Sequence, residues 1–115
     1  MKPLILTTIL IALVGQGCAR DEQFESVLNS PNNFQGRQIE ITGVFHYQFE
    51  DVAIYLTRSN ERERALWINF SDALGRNQLD RLDRQTIKIT GIFNKDDRGH
   101  LGQYAGSLDE ARISE

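Results

Sequence analysis

Two histidines are the side chains of this chain best suited to bind a metal ion or to transfer a proton. They are His46 and His100, and Asp96 and Asp97 lie just before the second one. Metal sites need three or four converging ligands, and the spacing of these residues matches no metal-binding motif. Residues 94–99, NKDDRG, are typical of a turn between two strands. We therefore predict a turn here, with no metal ion and no other cofactor.

Nucleophilic catalysis has no better support in the sequence. Ser59, Ser71 and Ser107 do not lie in a nucleophile turn of the Gly-x-Ser-x-Gly type. No pair of carboxylates lies in an apolar setting that would raise a pKa for acid catalysis. We predict a protein that is not an enzyme. A small hydrolase or metal-dependent enzyme is the least favoured alternative, and it requires His46 and His100 to meet in a pocket with carboxylates.

Aromatic and arginine side chains form the most plausible binding surface. Aromatic rings beside guanidinium groups can stack on bases or sugars, or hold a peptide. In the arginine-rich segment 58–64, however, Glu61 and Glu63 alternate with the arginines, a pattern that is also typical of a solvated loop. The candidate residues are Tyr47, Tyr55, Arg58, Arg64 and Trp67, with Phe49 nearby.

The first eighteen residues resemble a bacterial lipoprotein signal peptide. Lys2 precedes an uncharged run over residues 3–14, and Gly17 precedes Cys18, the single cysteine of the chain. This apolar run is shorter than the roughly 20 residues that a membrane-spanning helix needs. The resemblance implies cleavage before Cys18, a lipid on its thiol and attachment to a membrane.

A second processing route stays open at this end of the chain. Gly17 and Ala19 fit the small-residue pattern of an ordinary secretory cleavage site after Ala19, and Gly15 stands where a typical lipoprotein signal has leucine. That route gives a soluble periplasmic or secreted protein. Lipidation is favoured, since an exported chain otherwise has little use for one unpaired thiol. By the same resemblance, Ala19 after the cysteine favours the outer membrane, facing the periplasm.

The chain divides into a signal peptide at residues 1–17, a lipidated anchor and flexible spacer at 18–23, and one small domain at 24–115. Without Lys2, 12 basic side chains remain against 16 acidic ones, a formal charge of −4. An acidic domain is a poor candidate for a general nucleic-acid binder, whose affinity depends on neutralising phosphates. With one cysteine there is no intramolecular disulfide, so packing alone must stabilise the domain.

An internal repeat indicates the architecture of this domain. Residues 39–45, IEITGVF, recur as residues 87–93, IKITGIF. Each copy alternates as a strand and carries a central glycine, Gly43 or Gly91, which is typical of a bulge or bend in a closing barrel. One face of each strand is apolar and is predicted to be buried: Ile39, Ile41, Phe45, Ile87, Ile89 and Phe93.

The remaining segments complete a small all-β domain. Residues 21–28 predict a short helix, and residues 52–57 and 65–70 alternate as strands. Ser71 and Asp72 are plausible N-cap residues for a helix that continues to Leu82. A last strand is predicted over residues 105–113.

The resulting order, a helix followed by β-β-β-α-β-β, resembles the OB-fold (oligonucleotide/oligosaccharide-binding fold), a five-stranded Greek-key barrel. An SH3-like barrel is the main alternative, but the helix between the third and fourth strands favours the OB-fold. The beginning of the domain resembles that of small OB-fold domains in bacterial envelope proteins of unassigned role. The residues that carry this resemblance are Phe34, Gly36, Arg37, Ile39, Ile41 and Gly43.

The sequence therefore predicts a membrane-tethered envelope module that binds a protein, a peptide or a glycan. A domain that binds single-stranded oligonucleotides is the alternative from another class, although an exported lipoprotein would rarely meet nucleic acid. In OB-folds the outer face of the second and third strands binds the ligand. On this reading Tyr55 and Trp67 point outward from those strands.

Overall fold

The computed structural model describes residues 21–71 and 74–114 of the 115-residue chain. The predicted signal peptide and Cys18 lie outside these residues. Within the two ranges, no helix is both long and apolar enough to span a bilayer. The helices are α1 (Glu22–Asn29) and α2 (Arg76–Leu82), and the strands are β1 (Gln38–Gln48), β2 (Asp51–Tyr55), β3 (Ala65–Phe70), β4 (Thr86–Asn94) and β5 (Gly106–Ser114).

The five strands form a closed barrel in the order β1-β2-β3-β5-β4, in which β1 also pairs with β4. The β3–β5 pair is parallel and the other pairs are antiparallel. With α2 between β3 and β4, this is the predicted OB-fold-like barrel. The strand predicted over 65–70 agrees with β3 at both ends, and the other strand boundaries differ by at most a few residues.

The two copies of the repeat are neighbours in the barrel. They pair antiparallel, with Ile41 opposite Ile89, so that each glycine faces an isoleucine: Gly43 opposite Ile87 and Gly91 opposite Ile39. The six apolar positions predicted to share a buried face all belong to the main core. The internal repeat therefore forms one pair of neighbouring strands.

The repeat glycines allow close contacts that a side chain would block. A Cβ at Gly43 would lie 2.5 Å from the Tyr55 carbonyl oxygen and 2.9 Å from the Phe24 ring. Near this glycine, β1 changes its partner from β4 to β2. At Gly91 the pairing of β4 with β5 shifts register, in agreement with the bulge or bend predicted there.

Helix α1 closes one side of the barrel and belongs to the folded domain. Asp21 caps it by accepting a hydrogen bond from the Phe24 amide, and Phe24 and Val27 are fully buried. Gln23 accepts a bond from the Glu40 amide of β1. Gln23, which the sequence predicts to lie in a flexible spacer, is thus bonded to the barrel.

Helix α2 is shorter than predicted. It begins at Arg76 after Gly75, whose amide donates to the Gln78 side chain. A glycine inside a helix costs about 1 kcal/mol, which favours a boundary at this position. Ser71 does not cap α2, since its amide and hydroxyl both donate to the Ala111 carbonyl on β5. Asp72 lies outside the described residues.

Candidate functional site

The outer face of β1, β2 and β3 is covered by the chain itself. The loop of residues 95–105, between β4 and β5, crosses this face and places the fully buried Tyr104 on it. The contacts form a second apolar cluster, separate from the barrel core, which we call the outer-face cluster. Its members are Val44, Ala53, Tyr55, Ala65 and Tyr104, with Trp67 packed against them.

Close packing and hydrogen bonds hold this loop in place. Gly99 has a φ of 69°, and a Cβ there would lie 2.8 Å from both Trp67 and Tyr104. The Asn69 side chain donates to Asp97 of the loop at 2.9 Å, and the Ala105 amide donates to the Ala65 carbonyl. Within residues 94–99, Asp97 accepts a bond from the Gly99 amide and forms a local turn, as predicted for this segment. The connection between the strands is nevertheless longer than the predicted turn.

A buried carboxylate lies at the centre of the covered face. Asp51, the first residue of β2, accepts hydrogen bonds from the hydroxyl groups of Tyr104 at 2.7 Å and Tyr55 at 2.8 Å. Its other oxygen lies 2.9 Å from Nδ1 of His46. The His46 ring also stacks on Tyr55, with 3.9 Å between the ring centroids. Residues from β1, β2 and the loop thus meet at one carboxylate.

The electrostatics of this network favour an ionised Asp51. Burial alone would raise the pKa of Asp51, but the hydrogen bonds from Tyr104, His46 and Tyr55 outweigh it and hold the pKa below its usual value. Burial and the adjacent carboxylate raise the pKa of Tyr55 to about 12. The same two causes raise the pKa of Tyr104. The two phenols therefore stay protonated and donate to a charged acceptor, a strong class of hydrogen bond.

The two histidines lie beside consecutive acidic residues. While His46 pairs with Asp51, Nε2 of His100 lies 3.1 Å from a carboxylate oxygen of Glu50. Across residues 21–71 and 74–114, no group of three His, Cys, Asp or Glu side chains is arranged to hold a metal ion. Asp97 is engaged by Asn69 and Gly99, so it does not join the histidines as the metal hypothesis requires.

The predicted binding residues do not form one exposed surface. Tyr55 is only 1% exposed, and Trp67 is partly buried and donates its indole N–H to Asn69. Arg58 donates to the Arg84 carbonyl and Arg64 to the Asn29 side chain, at separate places on the domain. Tyr47 is partly buried against the barrel core. Tyr55 on β2 and Trp67 on β3 therefore pack against the loop that covers them.

The sequence indicates no part in this network for three of its residues. It points to His46 only as a metal ligand, gives no reason to select Asp51, and leaves Tyr104 between a predicted turn and a predicted strand. One signal was present. His46 and Val44 share the alternation phase opposite to Phe45, which places a histidine on the outer face of β1. No local pattern indicates that Tyr104 returns to it.

Among the described residues, two open surface features near this network are relevant to binding. One is a small cleft of about 110 Å³ beside His46, between the β2–β3 loop and the segment that leads into β4. The other is the turn between β1 and β2, where Phe49 is 90% exposed. A groove of about 350 Å³ runs beside Phe49 and is lined by Tyr47, Val52, Arg76 and Asp80 among others.

Comparison with known proteins finds no matching family model, no matching curated protein and no matching solved structure.

Proposed function

We propose that this protein is a non-enzymatic binding module that recognises a segment of another protein. A lipid on Cys18 tethers it to the bacterial envelope membrane, where it faces the periplasm. The observation that carries the choice of surface is the 90% exposure of Phe49 at the β1–β2 turn. Exposed aromatic side chains are common energetic centres of protein interfaces.

The surroundings of Phe49 suit a polypeptide ligand. The groove beside it combines the apolar side chains of Tyr47 and Val52 with one positive and one negative residue of α2, Arg76 and Asp80. A polypeptide can supply an apolar side chain and both signs of charge within a few residues. A single-stranded oligonucleotide presents uniform negative charge, and Asp80 and Glu50 disfavour it here.

The covered outer face argues in the same direction. A base could stack on Tyr55 only after the loop of residues 95–105 had left and Tyr104 had lost its bond to Asp51. That step would expose a second apolar cluster. Nucleic-acid binding on this face is therefore disfavoured, and the turn end of the barrel is the better candidate.

The tether is tested on the full-length protein expressed with its own N-terminus. Mass spectrometry of the mature protein should show a lipid-modified Cys18 as the first residue, and a Cys18→Ala variant should leave the membrane fraction. A mature protein that begins at Arg20 without a lipid, from cleavage after Ala19, would instead establish simple secretion. This result is independent of the binding surface.

The binding surface is tested with a photo-crosslinking residue at position 49 of the tethered protein, in intact envelopes. Position 101 provides the matched control, because Leu101 is also an exposed apolar residue, at 76%, but lies in the loop of residues 95–105. We expect a discrete adduct from position 49 only. The protein identified in it should bind Phe49→Ser at least about 10-fold more weakly than it binds Leu101→Ser, as expected for an aromatic interface centre. Equal adducts from both positions, or equal affinities, would refute the proposed surface.

A further inference from the structure

The small cleft beside His46 combines positive charge with hydrogen-bonding side chains. Its volume, about 110 Å³, is enough for one compact polar group. Two of its residues are arginines, one from each side of the opening. The lining residues are Val44, His46, Arg58, Ser59, Asn60 and Arg84.

His46 forms the buried end of this cleft. The residue is only 3% exposed, and its Nδ1 is occupied by Asp51. Across the described residues, every side-chain nitrogen or oxygen that is fully shielded from solvent has a hydrogen-bond partner. Nε2 of His46 has no partner among them, so it must reach solvent, and the cleft is the opening that His46 lines.

The bond to Asp51 determines what this nitrogen offers. An ionised carboxylate only accepts hydrogen bonds, so Nδ1 of His46 carries the proton that it shares with Asp51. In the neutral ring, Nε2 then has a free lone pair and acts as an acceptor. The cleft therefore presents a hydrogen-bond acceptor at its base and guanidinium donors at its rim.

Arg84 is held in place by contacts that its neighbours supply. Its backbone has a φ of 70°, an unfavourable conformation for a residue with a side chain. Its amide donates to the Phe45 carbonyl at 2.7 Å, and its carbonyl accepts a bond from Arg58 at 3.3 Å. With the Gln48 amide oriented for hydrogen bonding, its oxygen accepts from Nε and Nη2 of Arg84 at 2.9 Å. Among the described residues, Nη1 of Arg84 has no further partner and is available to a ligand.

We propose that this cleft is a binding site for inorganic phosphate. Hydrogen phosphate carries negative oxygens, which pair with the guanidinium groups of Arg58 and Arg84. It also keeps a P–OH group at neutral pH, which donates to Nε2 of His46. Ser59 and Asn60 supply further polar contacts. Sulfate has a similar size and charge but no proton at neutral pH, so it cannot satisfy His46. A phosphate monoester has mostly lost its last proton at neutral pH.

Isothermal titration of the full-length protein in detergent tests the site, in phosphate-free buffer at about pH 8, where inorganic phosphate still carries one proton. We expect saturable binding of phosphate and at least about 10-fold weaker binding of both sulfate and glycerol 2-phosphate. No binding of phosphate would overturn the proposal. Equal binding of sulfate would overturn the acceptor role of His46, and tighter binding of the ester would exclude inorganic phosphate as the preferred ligand.

Two variants locate the binding. Arg58→Gln should weaken phosphate at least about 10-fold, whereas Arg37→Gln, at an exposed arginine outside the cleft, should leave affinity unchanged. His46→Gln offers an amide that can donate as well as accept, so the preference for phosphate over sulfate should fall to about threefold or less. Far-UV circular dichroism checks the fold of each variant. Because Arg58 is exposed, its variant tests the site even if the His46 variant does not fold. Unchanged affinity in Arg58→Gln would refute the assignment.

Discussion

The two faces of β1 show two different ways of stabilising the same strand. Phe45 points into the barrel and belongs to its apolar core, whereas its neighbour His46 points outward into a hydrogen-bonded network around Asp51. The inner face is built from residues that alternate along each strand. The outer face depends on one loop that returns to it and brings Tyr104. Local sequence patterns therefore encode the stability of the inner face, whereas a long-range contact supplies that of the outer face.

The largest expected effect lies on the inner face. Phe45→Ala removes a fully buried ring that contacts Phe70 edge-on, and it should lower the free energy of unfolding by about 3–5 kcal/mol. The control is Phe49→Ala, which truncates the same side chain at an exposed turn and should change stability by less than about 0.5 kcal/mol. Urea denaturation followed by circular dichroism measures both. Similar losses in the two variants would contradict the described packing.

A somewhat smaller effect tests how tightly the loop packs on the outer face. Gly99→Ala places a methyl group 2.8 Å from Trp67 and Tyr104, and also strains a residue at positive φ. We expect a loss of about 2–4 kcal/mol in denaturation experiments.

Gly102→Ala is the matched control for this substitution. It lies in the same loop at a φ of 65°, but no atom lies within 4 Å of the added methyl group. Gly102→Ala should lower the free energy of unfolding only through backbone strain, by about 1–2 kcal/mol. Because Gly99 combines its positive φ with a ψ of −155°, part of the difference between the two variants is backbone strain, and the rest reflects the contact of the loop with the face. Equal losses would mean that the loop does not pack on Trp67.

A single hydroxyl group tests the polar part of the outer face. Tyr104→Phe removes the 2.7 Å bond to Asp51 and keeps the ring, so we expect a loss of about 1.5 kcal/mol. Tyr47→Phe is the control at a partly buried tyrosine outside the network, and it should cost less than about 0.5 kcal/mol. Iodide quenching of Trp67 should also increase in Tyr104→Phe if the bond holds the loop down. Unchanged stability and quenching would show that the ring alone fixes the loop.

The inner face could be predicted because its signals are local. Alternation in residues 39–45 and 87–93 identified six core positions, and the helix between β3 and β4 distinguished the barrel type. For Tyr55 the same logic predicts exposure from its outward phase, yet the residue is only 1% exposed. Alternation tells only which side of the sheet a residue is on, and it contains no information about what covers that side.

The outer face could not be predicted for a related reason. Tyr104 meets Asp51 across more than fifty positions of sequence, after a loop whose polar residues resemble an ordinary turn. The helix predicted from Ser71 failed similarly, because a bond between Ser71 and Ala111 of β5 replaced the local cap. Such contacts depend on the closed barrel, so no short window of sequence encodes them.

The last comparison distinguishes the two faces by titration at alkaline pH. The pKa of Tyr55 is raised from 10.0 to about 12, so the folded state favours the protonated phenol. This contribution to stability is complete below pH 10.0 and is lost as the pH rises through about 12. Urea denaturation at a series of alkaline pH values should therefore show falling stability over this window. In Tyr55→Phe the slope should be shallower, because one titrating group has been removed, whereas Phe45→Ala should keep the full slope at lower overall stability. An identical slope in Tyr55→Phe would contradict the coupling of this phenol to Asp51.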